Sequence, residues 1–440
     1  MVPRRIHVFV ALIPLLAANV CASAADWPNW RGPAQNGSSP DTNLPVRFSK
    51  TENVKWAYDL PGASASTPII VGDHVYVSSI GEASKELYAI CLDRRTGKEL
   101  WRQFIAVGPD SDDRSNKASP SPTVEGDVVV FFYGSGDLAA FKPDGDPLWH
   151  RNIQKDYGDF AFLWTFSSSP LLYEHRLYLP VMQRDVPVRG RGRADGQPIE
   201  SYLLAMNPQT GQTLWKQIRP SKAHAESHEA FTTPIAFEHD GRREILLAGG
   251  DCVTGHDPAT GRELWRWGTW NPTRIVHWRL VCSPVAGGGV VVVCAPKGAP
   301  VYAVRAGGDS TLSDKDLAWV SDDKAISSDV ATPAYHDGRF YILNGERKIL
   351  SAVDSQSGDI AWRSKLKSKA IFRSSPTVAD GRIYLMNHRG VVYVLDEKTG
   401  QVLHTAAMGE RNDDNTRSSI AVADGDLYIK TNHKLFRIGR

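Results

Sequence analysis

A short phrase recurs along this chain at a near-fixed spacing, and that pattern means a repeat architecture before any other consideration. Asp93-Arg94-Arg95-Thr96-Gly97 leads to Trp101, and Asn207-Pro208-Gln209-Thr210-Gly211 to Trp215. Asp257-Pro258-Ala259-Thr260-Gly261 leads to Trp265, Asp354-Ser355-Gln356-Ser357-Gly358 to Trp362, and Asp396-Glu397-Lys398-Thr399-Gly400 to His404. Asp144-Gly145 with Trp149 is a shortened copy, and the last residue always falls four after the Gly. Asp accepts backbone hydrogen bonds two residues on and Gly supplies positive φ, so the phrase is a turn. Before it come a Ser/Thr-Pro pair (Thr67-Pro68, Ser169-Pro170, Thr233-Pro234, Ser283-Pro284, Thr332-Pro333, Ser375-Pro376) and runs of alternating apolar residues such as Val391 to Leu395. Those runs read as strands.

Four strands in each unit of about 45 residues is the pattern of a propeller blade. The end markers Trp56, Trp101, Trp149, Trp215, Trp265, Trp319, Trp362 and His404 predict an all-β, eight-bladed β-propeller of four-stranded antiparallel blades. Seven blades is the rival count. After His404 the chain supplies three further strands, Ser419 to Val422, Leu427 to Lys430 and Lys434 to Ile438. The N-terminal strand Asn53 to Trp56 is expected to complete that last blade, which removes free sheet edges.

The Asp-x-x-Thr-Gly-x-x-x-Trp phrase, with Leu-Tyr-Ala-type strands before it, resembles the PQQ-like propeller repeat of quinoprotein dehydrogenases and BamB-type scaffold proteins. The resemblance covers residues 53–440. The opening Trp27-Pro28-Asn29-Trp30-Arg31-Gly32-Pro33 looks like the start of secreted PQQ-like repeat proteins of planctomycete-type bacteria. The motif builds turns and strand docking, so it implies the fold and leaves the function open.

Residues 1–24 read as a secretory signal. Arg4-Arg5 precedes an apolar run, and Ala22-Ser23-Ala24 is a cleavage site. No other segment is long and apolar enough to predict a transmembrane span. Residues 25–52 form an N-terminal extension with few strand signals, expected to pack along the ring with Trp27 and Trp30 as anchors. Residues 53–440 form the propeller. The whole chain carries 51 basic and 49 acidic side chains, and removing the signal takes away two Arg and no acid. A neutral domain without a basic cluster is a poor match for nucleic acid, and a monomer is expected. Cys282 and Cys294 face each other if Gly287-Gly288-Gly289 is a three-residue turn, which makes them a candidate disulfide beside the alternative of two buried thiols.

Propeller topology places the loops before successive inner strands on one face. There stand Trp164, His228, Glu229, His277, Trp278, Arg279, Asp329, Arg373 and Arg417. Aligned on their Ser/Thr-Pro pairs, they converge on one mouth of the central channel as candidate ligand-binding residues. Arg offers paired donors to carboxylate or phosphate, His and Glu can exchange protons, and Trp can stack on a flat ring or sugar face. The unit between Trp149 and Trp215 is lengthened by Gln183 to Glu200, a loop with Arg184, Arg189, Arg191 and Arg193 on the same face. A second long loop carries Asp110, Asp112, Asp113 and Arg114, acids of the type that hold Ca²⁺.

The reading that follows is an exported, non-catalytic binding or scaffold module of the cell envelope, periplasmic or secreted. Its partner would be an envelope protein, a small polar or anionic ligand, or a glycan. No catalytic residue or metal site is assigned. The resemblance implies one alternative, a PQQ-dependent quinoprotein dehydrogenase with Ca²⁺. In the alcohol dehydrogenase group the quinone lies between a Trp and a disulfide of adjacent cysteines, a pair this sequence lacks. A second alternative is a polysaccharide-directed hydrolase or lyase using His228, Glu229, His277 and Arg279.

Overall fold

The computed structural model describes residues 26–108, 112, 115–268 and 270–440. The signal sequence, Asp110, Asp113 and Arg114 lie outside the described residues. Eight four-stranded antiparallel blades form one ring, as the markers predict. Blade 1 runs Ile69–Val71, His74–Ile80, Glu86–Asp93 and Glu99–Val107. Blades 2 to 7 repeat this plan, with inner strands Thr123–Glu125, Leu171–Tyr173, Ile235–His239, Val285–Gly287, Ala334–His336 and Thr377–Ala379. Blade 8 takes Ala421–Ala423, Asp426–Lys430 and Lys434–Ile438, and its outer strand is Val54–Asp59 from the other end of the chain. Blade 4 gains a short parallel strand, Ser310–Thr311, lent by blade 5.

The repeated phrase is a latch between neighbours. In blade 1 the Asp93 carboxylate accepts the Thr96 N–H and hydroxyl, both at 2.6 Å, which fixes the turn. A Cβ on Gly97 would stand 2.6 Å from the Trp56 ring of blade 8. Gly145 meets Trp101, Gly211 Trp149, Gly261 Trp215, Gly358 Trp319 and Gly400 Trp362 in the same way. The indole N–H of Trp56, Trp101, Trp149, Trp319 and Trp362 donates to a carbonyl of the next blade's turn, at 2.7–3.1 Å. Each Gly is therefore required twice, for its positive φ and for the space its hydrogen leaves. His404 ends blade 7 differently, docking on Phe48 of the N-terminal extension.

The Ser/Thr-Pro residues build a second connection, around the channel. The backbone N–H of Thr67 donates to Ser121 Oγ, Ser121 to Ser169, Ser169 to Thr233 and Thr233 to Ser283, all at 2.9–3.0 Å. Ser283 then donates to Thr332, Thr332 to Ser375 and Ser375 to Ser419, at 2.9–3.1 Å. Seven of the eight joins thus carry a bond of the same sense. At the eighth, between blades 8 and 1, Thr67 Oγ1 is buried without a partner. There the fully buried Lys430 ammonium donates instead to Ser64 O at 2.8 Å, Ser64 Oγ at 2.5 Å and Ser66 Oγ at 3.1 Å.

The end of the extension packs on the ring, where Leu44 and Phe48 meet Asp380 and His404 of blade 7. Its earlier part, residues 27–39, enters the channel and touches inner strands on several sides. Trp27 exchanges backbone hydrogen bonds with Ile70 in blade 1, and Pro28 O accepts from Val124 in blade 2. Asn36 O accepts from Tyr335 in blade 6 and Gly37 O from Val378 in blade 7. Arg31 is buried and donates to Pro333 O and Pro376 O, both at 2.9 Å. The inner strands offer unpaired backbone groups at the channel wall, and the extension satisfies them.

The pairs Gly287↔Val290 and Ala286↔Val291 make Gly288-Gly289 a two-residue turn, one residue of register away from the three-residue alignment. Cys282 and Cys294 are still side-chain neighbours across the hairpin. Cys282 and Cys294 are both free, buried thiols, and Cys282 Sγ lies 3.3 Å from Ala331 O.

Candidate functional site

The loops before the inner strands do share one face, and the channel opens there in a depression of about 920 Å³. Trp164, Arg279, Arg373 and Arg417 line it, as the alignment of the repeats predicts. Its floor holds Trp30 from the extension, and its wall holds Ser121, Ser169, Thr233, Ser375 and Ser419 of the hydroxyl belt. No carboxylate of the described residues lines it.

Two of the three guanidiniums are braced by carboxylates. Arg279 pairs with Glu226 at 2.6 Å and lies over the Trp164 ring at 5.5 Å, while Trp164 Nε1 donates to the same Glu226 at 3.2 Å. Arg373 pairs with Glu346 at 2.7 Å, and its Nε is buried without a partner. Behind Arg373 and Arg417 sits His388. Burial and those two guanidiniums pull its pKa down to about 4, and its Nε2 has no partner. Beneath the floor, the Arg31 guanidinium lies 5.7 Å from the Trp30 ring, with Nε and Nη1 unpartnered. Burial pulls its pKa down to about 9.

The other candidates do not reach the mouth. Glu229 is fully buried, accepts the Leu163 N–H at 3.1 Å and is bonded to Arg184 of the long loop. Burial raises its pKa to about 7, against the lowering pull of Arg184. His228 is buried 3.5 Å from Asp185 of that loop, and burial lowers its pKa. Both therefore anchor the long loop to blade 4 instead of facing a ligand. His277 is exposed, and Trp278 packs against the blade 4–5 core with its N–H on Ser227 Oγ at 2.8 Å. Asp329 accepts the Lys297 N–H at 3.0 Å in a neighbouring pocket.

Besides a pocket of about 590 Å³ that shares Ala65, Ser115, Ser119 and Arg417 with it and carries Asp112 and Asp414, two further pockets meet the mouth. One, of about 630 Å³, joins it at Trp164 and Thr165 and is walled by Lys117, Asp159, Phe162 and Arg191 of the long loop. The other, of about 910 Å³, joins it at Val330 and Arg373 and carries Lys297, Lys324, Asp329 and Arg347. Of the proposed calcium loop, Asp112 is engaged by the Thr165 N–H at 2.6 Å and hydroxyl at 2.8 Å. No group of three or more His, Cys, Asp or Glu suited to a metal ion occurs among the described residues.

Sequence reasoning missed Trp30 as floor, Arg31 beneath it and Glu226 as brace. Trp30 and Arg31 stand in the visible Trp-Arg-Gly-Pro phrase, but no local pattern says that this segment enters the channel. The belt did leave a signal, the same hydroxyl recurring at the same register before Pro.

These features define an eight-bladed propeller, plugged from the N-terminal side, with a cationic mouth. The chain belongs to the family described as outer membrane protein assembly factor BamB, whose model matches residues 46–184, 199–306 and 297–438, and it is a PQQ-like β-propeller repeat protein. Over 203 residues it is 25% identical to a polyvinylalcohol dehydrogenase of a Pseudomonas species, covering 45% of this chain and 30% of the relative. The matched part thus spans under a third of that relative's length. Among solved structures it resembles a europium-containing methanol dehydrogenase (TM-score 0.68, 11% identity, 94% of this chain and 98% of the other). It also resembles the quinohemoprotein alcohol dehydrogenase of Comamonas testosteroni (TM-score 0.61, 12% identity, 94% and 81%). At such identities the likeness is one of fold. No helix of the described residues is long and apolar enough to cross a membrane.

Proposed function

We propose that this chain is an exported binding module of the cell envelope, and that it seats a polar ligand at the channel mouth. One observation carries the reading. The ionisable groups lining the mouth are guanidiniums, and Arg279 and Arg373 are held in place by Glu226 and Glu346. Fixed, always-charged donors position a ligand. Proton transfer needs a titrating group within reach of the reacting atom, and the titrating groups Glu229 and His228 are engaged with the long loop. The same placement weighs against a hydrolase or lyase built on His228, Glu229, His277 and Arg279.

The dehydrogenase reading draws on the named relatives and on the guanidinium-lined mouth, whose chemistry suits the carboxylates of PQQ. The cation half of that cofactor does not fit: Asp329, the aspartate among the residues expected at the mouth, lies in the neighbouring pocket on a backbone N–H. No step is derived through the quinone. A thermal-shift titration with PQQ, with and without Ca²⁺, tests both readings, because a ligand that binds only the folded state raises Tm by mass action. A binding module gives no calcium-dependent rise and no dye reduction with alcohols. A saturable rise that requires Ca²⁺, with dye reduction, would replace it by the dehydrogenase.

A further inference from the structure

Three features of the mouth, independent of one another, favour negative charge. The first is the lining, which has three guanidinium groups and no described carboxylate. The second is the belt. The oxygens of Ser121, Ser169, Thr233, Ser375 and Ser419 already accept a backbone N–H from the neighbouring blade. A hydroxyl so engaged keeps its own O–H to offer, and these five line the mouth. The third is Arg31. It is almost completely buried below the Trp30 floor, meets two carbonyls but no carboxylate, and leaves Nε and Nη1 unpartnered. An unpaired buried charge is strongly unfavourable, and its uncompensated field adds to the positive potential above Trp30.

The shape of the face adds a direction. The mouth continues past Trp164 and Thr165 into a pocket at blades 2 and 3, and past Val330 and Arg373 into one centred on blade 6. In a ring of eight blades these lie nearly opposite each other. Both contribute cations, Lys117 and Arg191 on one side, Lys297, Lys324 and Arg347 on the other, against Asp159, Asp329 and Glu346. A third opening, past Ser115 and Arg417, carries Asp112 and Asp414 and is the least favourable exit for an anion. The floor is an indole, the surface on which the C–H face of a sugar ring stacks, and the walls offer hydroxyls and guanidiniums.

We propose that the mouth and the two opposed pockets form one trough for an anionic oligosaccharide. One uronate or sulfated unit sits over Trp30 against Arg279, Arg373 and Arg417, and the chain leaves through both side pockets. The inference rests on the mouth being a ligand seat and adds the class and extent of the ligand.

Calorimetry with oligogalacturonides of one to six units tests it, with sulfated oligosaccharides as a second anionic series. Malto-oligosaccharides serve as neutral controls, and citrate and sulfate as compact anions. Affinity is expected to rise at least tenfold from monomer to tetramer and to fall steeply with added salt. Neutral chains should bind at least a hundredfold more weakly. Arg373→Gln and Arg417→Gln, each checked for an unchanged Tm, should each weaken the tetramer about tenfold, and Lys324→Gln should weaken the tetramer but not the monomer. Citrate binding as tightly as the tetramer, in an Arg417-dependent way, would overturn the chain inference and leave the ligand seat standing. Neutral chains binding equally would overturn the oxyanion requirement. Binding that no arginine variant weakens would overturn the mouth as the site altogether.

Discussion

The buried Glu229 shows how far one side chain can be read from sequence and where the reading stops. Its place before an inner strand was legible, but the side chain turns outward to the long loop, because Arg184 and the Leu163 N–H offer it a complete set of partners. Its pKa is about 7 in the folded protein against about 4.5 unfolded. A carboxyl whose folded pKa is raised binds more protons folded than unfolded between those values, so stability is greatest below pH 4.5 and is lost as the pH rises towards 7. Wild type should therefore lose on the order of 3 kcal/mol over that window relative to Glu229→Gln, read by urea unfolding at each pH. Arg184→Ala at neutral pH should cost about 3 kcal/mol by stranding a buried acid, and Arg184→Ala/Glu229→Gln should recover most of it. Lys430 runs the other way. Its folded pKa is lowered to about 7 from 10.5 by burial, so the unfolded chain holds the extra proton between these values. Stability should climb from pH 7 to 10.5 more steeply in wild type than in Lys430→Met.

At the scale of the element, the turn phrase, the strands and their closure by Val54–Asp59 were all written in the sequence, because Asp, Gly and Trp each have one local job there. Gly400 and Gly381 separate the two parts of the Gly requirement within blade 7. Both have positive φ, but a Cβ on Gly400 would stand 2.4 Å from the Trp362 ring, while one on Gly381 meets nothing within 4 Å. Gly381→Ala should cost about 1 kcal/mol of backbone strain. Gly400→Ala should cost about 2–4 kcal/mol, strain and overpacking together. Equal losses in denaturant titrations would refute the latch. At Gly287-Gly288-Gly289 three consecutive Gly residues leave the turn length open, and the two-residue turn that forms differs by one residue of register from the three-residue alternative.

For the whole molecule, what the sequence hid is long-range. Nothing local in residues 26–38 announces a channel plug, since the plug's partners are inner strands of blades up to some 340 residues away. The mouth is half visible for the same reason. Arginines set by blade topology could be placed, whereas the floor depends on where a segment without repeats comes to rest. Arg31 ties ring stability to ligand. Arg31→Met replaces an uncompensated buried cation by an apolar chain of similar length, and should leave Tm unchanged or raise it while weakening any oxyanion at the mouth about tenfold. A fall in Tm without loss of binding would show that Arg31 serves only the plug.

The closing strand also sets a clock. Val54 pairs with Ile438, so a strand made early cannot find its place until Lys434–Ile438 have followed it. Every blade before that moment has a raw edge and an unfinished neighbour, and no intermediate length of chain can shut the ring. Closure of the ring is therefore the late, non-local step of folding, set by the meeting of Val54–Asp59 with Lys434–Ile438 and not by any blade in between.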